Sequence, residues 1–174
     1  MPKMLHTGQV IIDLVMAVDK LPQIGGDVLA QSAGFEAGGG FNVMAAAVRN
    51  GLPVVYLGRH GTGRFGDLAR QAMQAEGIHI GISQPAERDT GVCVALTDAS
   101  AERSFISYIG AEGEVTVDDL NSVAFEAGDY VISAVTACCT RVRRRLCLTG
   151  RWHCPPRSAW CSIRARWWNR RIHS

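Results

Sequence analysis

The residues of this chain whose types and spacing could do chemistry are Asp13 and the run Ala37-Gly38-Gly39-Gly40-Phe41-Asn42. Glycine has no Cβ, so a three-glycine run can turn at positive φ and lie directly against a ligand, leaving amide N–H groups free to point at it. Asp13 falls inside the apolar stretch Val10 to Val18, where a carboxylate must be hydrogen-bonded to be tolerated. Two roles fit it: accepting hydrogen bonds from adjacent hydroxyls of a ligand, or standing as a turn or strand-end charge that faces water. Asn42 could present a donor and an acceptor to a hydroxyl, or simply cap a helix. A tight turn packed against a neighbouring strand explains a lone glycine run at least as well as a ligand does.

The elements that must position these residues follow from periodicity. Met4 to Gly8 and Val10 to Val18 read as a short buried strand and a second extended piece. Leu21 to Gly26 is turn-rich, and Asp27 to Glu36 reads as extended. Phe41, Met44, Ala45 and Val48 fall at i, i+3, i+4 and i+7 on one apolar helix face, with Gly51 placed as a left-handed C-terminal cap. Pro53 to Gly58 predicts a strand, Gly63 to Glu76 a second helix with Phe65, Leu68, Ala72 and Met73 inward and Gly77 as its stop, and Ile78 to Ile82 a third strand. This βαβ alternation with short loops predicts an α/β fold with a parallel, doubly wound sheet. Gly91 to Leu96 and Ser104 to Ile109 predict a hairpin joined by Asp98 to Glu102, with Arg103 a solvated residue of that hairpin. Thr116-Val117-Asp118-Asp119 reads as a capping arrangement that starts a helix through Phe125, and Asp129 to Ser133 begins another buried strand.

Two weaker motifs are set aside. Gly61-Thr62-Gly63-Arg64-Phe65-Gly66 fits G-x-G-x-x-G, but no acidic residue follows about twenty positions later at a strand end to hold a ribose, so the dinucleotide reading is rejected. His60 and His79 have no second ligand at metal spacing and read as a satisfied core or a surface histidine.

Taken in order, Gly8 with Ile11-Ile12-Asp13, Leu21-Pro22, Gly25-Gly26-Asp27, Gly38, Gly40, Asn42, Gly51, Gly61, Thr90-Gly91, Ala101-Glu102-Arg103-Ser104 and Gly110-Ala111 resemble the N-terminal landmarks of the ribokinase-like (PfkB) family of sugar kinases. The family has a small residue two positions after the asparagine, where this chain has Met44, and many members read Gly-Ala-Asn where it has Gly110-Ala111-Glu112. The resemblance implies a three-layer αβα fold with a mostly parallel sheet and a small β lid over the sugar. It implies ATP and Mg2+ as cofactors, a small-molecule sugar as substrate, and homodimers formed through the lid. It places Ile11, Asp13, Gly38, Gly39, Gly40 and Asn42 in the substrate site. The acceptor itself stays open, since pentoses, hexoses, ketose phosphates and nucleosides all occur in the family.

The resemblance covers residues 4 to 132, and the chain divides there into an N-terminal sugar-binding and lid part, 1–133, and a tail, 134–174. Residues 1–133 carry 8 Lys and Arg against all 16 acidic residues, a balance of −8, while the tail carries 10 Arg and no acidic residue. Five of the six cysteines and all four tryptophans lie in 138–174, with no helical or strand period. A zinc site from Cys138, Cys139, Cys147, His153, Cys154 and Cys161 lacks C-x-x-C spacing. An arginine-tryptophan tail suits nucleic acid, which would make the chain a sugar-sensing regulator. The favoured reading is a shifted reading frame that follows a truncated kinase fold. The family keeps its base and anion hole in a later Gly-x-Gly-Asp loop, which nothing in Ala134 to Ser174 matches, so no catalytic residue is assigned and the expectation is a sugar half-site without catalysis. No stretch approaches the ~18 apolar residues of a membrane span, and Asp13 interrupts any secretory core, so the expected location is the cytoplasm.

Overall fold

The computed structural model describes residues 1–121, 123, 124, 126, 128–133 and 161–164. In chain order the elements are β1 (Met4–His6), β2 (Val10–Ala17), β3 (Ser32–Gly39), α1 (Phe41–Arg49), β4 (Val54–Tyr56), α2 (Arg64–Ala75), β5 (His79–Ile80), β6 (Val92–Thr97) and β7 (Arg103–Tyr108). A 3-10 turn (Ala111–Glu114), α3 (Val117–Asn121), β8 (Tyr130–Ser133) and β9 (Cys161–Arg164) complete them.

The strands form two sheets. The first has the order β5-β4-β1-β8-β9 and is parallel except for β9. Parallel strands buried on both faces need apolar residues at successive positions, and β1 supplies them. Met4 packs with Val54, Tyr56, Met44 and Met73 on the side of α1 and α2, whereas Leu5 packs with Leu57, Val131 and Leu120 on the side of α3. Helices therefore cover both faces, the expected three-layer αβα arrangement. The second sheet, β3-β2-β6-β7, is the small lid, with β2 antiparallel to β3, parallel to β6, and β6 antiparallel to β7.

Local chemistry sets the helix ends as the sequence suggests. After α1, the Gly51 N–H reaches the Val48 carbonyl at 2.8 Å and the Leu52 N–H the Ala47 carbonyl at 3.0 Å; after α2, Gly77 and Ile78 repeat the pattern onto Gln74 and Met73. Both are Schellman closures around a glycine at positive φ. Thr116 and Asp119 form a reciprocal cap on α3: Asp119 Oδ2 accepts from the Thr116 N–H at 2.7 Å, and Thr116 Oγ1 accepts from the Asp119 N–H at 3.2 Å. The helix expected to run through Phe125 is described only to Asn121, and Phe125 lies outside the described residues.

One expectation is corrected. The tail was read as having no strand period, yet Cys161–Arg164 forms β9 along β8. Four residues are too few for a period of two to stand out against an irregular background. Cys138, Cys139, Cys147, His153, Cys154 and the tail tryptophans lie outside the described residues, and with them the zinc and nucleic-acid readings. No helix among the described residues is long and apolar enough to cross a membrane.

Candidate functional site

The lid strand β2 leaves the main sheet through Thr7 to Gln9, and alternation along it sends Val10 and Ile12 into the core while Ile11 and Asp13 take the opposite face. Register places Ile11 opposite Gly38 and Asp13 opposite Glu36. Ile11 and Asp13 are half-buried. The Asp13 carboxylate lies directly over Gly38: a Cβ built on Gly38 would fall 2.1 Å from Asp13 Oδ2. That glycine is therefore required by the carboxylate's own position. Burial first, and the Glu36 carboxylate second, hold the Asp13 carboxyl above the usual carboxylate range.

The sequence leaves two roles for this carboxylate, contact with the hydroxyls of a ligand or a charge that faces water. Asp13 has no hydrogen-bond partner among the described residues. Half-burial on a lid face leaves its oxygens open to a ligand or to water, which keeps both roles available.

The other two glycines serve different ends. Gly39 ends β3 at φ +65°. Gly40 opens α1, its N–H is spent on the Gln9 carbonyl at 2.7 Å, and a Cβ there would fall 2.1 Å from His6 Cε1. The Gly40 amide is thus not free for a ligand, which corrects the expectation for that position. Asn42 sits exposed on the first turn of α1, and the helix begins with no side-chain cap hydrogen bond, so the capping role is ruled out for it.

His6, Tyr56, Asp89 and Glu112 organise the surroundings, and the sequence reading gave a place only to Glu112. His6 is fully buried and its Nδ1 accepts from the Gly8 N–H at 3.1 Å. The Tyr56 hydroxyl accepts from the Val10 N–H at 3.1 Å at the root of β2. The Asp89 carboxylate accepts from the N–H groups of Phe65 at 3.1 Å and Gly66 at 2.8 Å, the first turn of α2. Amides that a G-x-G-x-x-G loop would turn to a phosphate are taken by the protein's own anion, so this loop does not fit a nucleotide and its rejection stands. Glu112, 2% exposed, accepts from Gly91 at 2.8 Å and from Gly110 at 2.9 Å, tying the roots of β6 and β7 together. It is a lid clamp. The one signal that could have found these partners is the spacing of Gly8, Gly40, Gly91 and Gly110, each of which makes room for one of these side chains or its neighbours.

His60 is buried, with Nε2 3.0 Å from the Ile82 carbonyl and Nδ1 2.9 Å from Arg70 Nη1. The cation at Nδ1 requires an acceptor there, so Nε2 carries the proton and donates to Ile82. Burial lowers its pKa, and it is a satisfied core histidine, as expected. His79 is exposed on β5, and Arg103 is exposed at the start of β7. No group of three His, Cys, Asp or Glu side chains among the described residues is arranged to hold a metal ion.

Two sheets joined in this way, with a carboxylate on the lid and a glycine-opened helix beside it, define a ribokinase-like fold. The family model described as pfkB family carbohydrate kinase matches residues 1–161, and the chain belongs to that family. The match runs past Ser133 to the start of β9. The chain is 31% identical over 108 residues to the uncharacterized sugar kinase YegV of Escherichia coli K12, over 62% of this chain and 33% of that protein. It is 28% identical over 110 residues to the ribokinase of Bacillus subtilis, over 63% of this chain and 38% of that protein. Among solved structures, ribokinase of Arabidopsis thaliana complexed with ribose and ATP superposes with a TM-score of 0.59 at 25% identity, covering 70% of this chain and 42% of that one. The matched part thus spans roughly a third of each of these two sequence relatives.

Proposed function

We propose that this chain supplies the sugar-gripping side of an ATP-dependent kinase that phosphorylates a sugar hydroxyl, with Ile11, Asp13, Gly38, Gly39 and Asn42 in the acceptor site and Gly40 serving only as the bend that opens α1. The observation that carries the reading is the Asp13 carboxylate, half-buried over Gly38 and without a hydrogen-bond partner among the described residues. An ionised carboxylate only accepts, so it binds neighbouring hydroxyl groups of one molecule and fixes their orientation. Asn42 adds a donor and an acceptor from the exposed first turn of α1.

ATP supplies the phosphoryl group when bound; the residues of this chain bind and orient the hydroxyl that receives it. The nucleotide side, Mg2+ and the base are assigned outside residues 1–174. The occupied amides of the α2 loop support this division. Exposed Phe105, Ile106 and Tyr108 on β7 support pairing of two copies through the lid.

Calorimetric titration of the full chain and of Asp13→Asn with D-ribose and with D-fructose tests the reading. Loss of a charged acceptor is expected to weaken binding about 10- to 100-fold. Equal affinity of the two proteins refutes the role of Asp13. Sugar-dependent ATP consumption by the full chain refutes the division of labour.

A further inference from the structure

The register of the lid aligns four side chains across its strands. Glu36 of β3 stands opposite Asp13 of β2, Asp13 opposite Cys93 of β6, and Cys93 opposite Ser107 of β7. Residues directly paired across a sheet share a face, so all four lie on the face that carries Asp13. At the β3 edge the alternate face packs on the main body, Phe35 against Phe65 of α2 with ring centroids 6.0 Å apart. The Asp13 face carries the half-buried carboxylate and the exposed Ser107.

Within that row the hydrogen bonds have a direction. The Ser107 hydroxyl donates to Cys93 Sγ at 3.3 Å, and the thiol donates onward to the Val94 carbonyl at 3.8 Å. Cys93 is 4% exposed, while Ser107 is exposed. With its proton committed to sulfur, the Ser107 oxygen faces outward as an acceptor. Asp13 and Ser107 are then two acceptors at either end of one row, with the apolar thiol between them. Two strand spacings set them roughly 10 Å apart. Subtracting a hydrogen bond of about 2.8 Å at each end leaves about 4–5 Å, the breadth of one monosaccharide ring.

We infer that Ser107 is the second polar anchor of the acceptor site, with Cys93 as its positioning residue, and that together they select a single monosaccharide lying across β2, β6 and β7. This rests on the sugar-site reading of Asp13. A sugar hydroxyl donates to Ser107 Oγ, the Ser107 hydroxyl stays aimed at Cys93, and the C–H face of the ring lies over the thiol.

The test is calorimetric titration of the full chain with D-ribose, D-fructose and their monodeoxy analogues, using wild type, Ser107→Ala, Cys93→Ala, Cys93→Ser and Asp13→Asn. Ser107→Ala is expected to weaken the preferred sugar about three- to tenfold. That loss should vanish for the one deoxy analogue that lacks the hydroxyl Ser107 receives, a selectivity no general structural effect reproduces. Cys93→Ala should show part of the same loss, and Cys93→Ser, which keeps an acceptor, should restore affinity. Unchanged affinity in Ser107→Ala, or an equal loss for every analogue, overturns the inference while leaving Asp13 in place if Asp13→Asn still weakens binding about 10- to 100-fold. Asp13→Asn with wild-type affinity, or a wild type that binds none of these sugars, overturns both readings.

Discussion

Replacing Gly38 with alanine separates the sugar site from the fold more cleanly than any change to Asp13. The new Cβ would sit 2.1 Å from Asp13 Oδ2 and 2.7 Å from its Cγ. The first distance is more than ~1 Å inside the closest comfortable carbon–oxygen approach, so one of the two groups must move. The backbone at Gly38 is held by pairing along all eight residues of β2 and β3, whereas the Asp13 side chain is half-buried and has no hydrogen-bond partner among the described residues to hold it. The carboxylate gives way. A displacement of about 1 Å or more breaks a hydrogen bond made at about 2.8 Å, and each charge-assisted bond lost is worth about 1.5–3 kcal/mol. One such bond corresponds to roughly a 10- to 100-fold rise in Kd. The stability change should stay within about 1 kcal/mol, because rotation relieves the clash. Titration with D-ribose or D-fructose, beside urea denaturation of the same protein, measures both quantities. In the background of Asp13→Asn, Gly38→Ala should add little, since both act through one side chain. Full sugar affinity in Gly38→Ala would refute the claim that this glycine exists to seat the carboxylate.

Three further outcomes follow from the same geometry. Gly40→Ala directs its Cβ to 2.1 Å from the buried His6 ring, which has nowhere to turn, and should destabilise the fold by about 1–3 kcal/mol or more in urea melts. Glu112→Gln puts an amide NH2 against the Gly91 or Gly110 N–H, and denaturation should register a loss of about 1.5–3 kcal/mol. His60 has its pKa lowered by burial from 6.5, so the unfolded state binds more protons on acidification; stability is retained above about pH 6.5 and falls below it, and a melting series from pH 8 to pH 5 should lose that slope in His60→Gln.

Local order was legible residue by residue. The i, i+3, i+4, i+7 face of Phe41, Met44, Ala45 and Val48 does pack inward, with Met44 and Ala45 buried and the other two against the core. Gly51 and Gly77 end their helices through hydrogen bonds that span only five residues. The hairpin at Asp98 formed because Asp98 can turn the chain on itself, its Oδ1 accepting from Ser100 and Glu102. What escaped was remote in sequence. Asp89 reaches back 23 residues to Gly66, and Glu112 back 21 to Gly91, distances over which no short motif operates.

The amino-acid order alone determined the alternation of strands and helices, their stops, and membership of a sugar-kinase family, because each is written in periods of two to seven residues or in landmarks met in sequence. Only the folded chain decided that Asp13 lies over Gly38, that Asp89 fills the glycine loop of α2, and that Ser107 shares a row with Asp13. Those are consequences of register, and register is a choice among pairings of distant segments that the hydrophobic pattern restricts but does not locate until the sheets assemble.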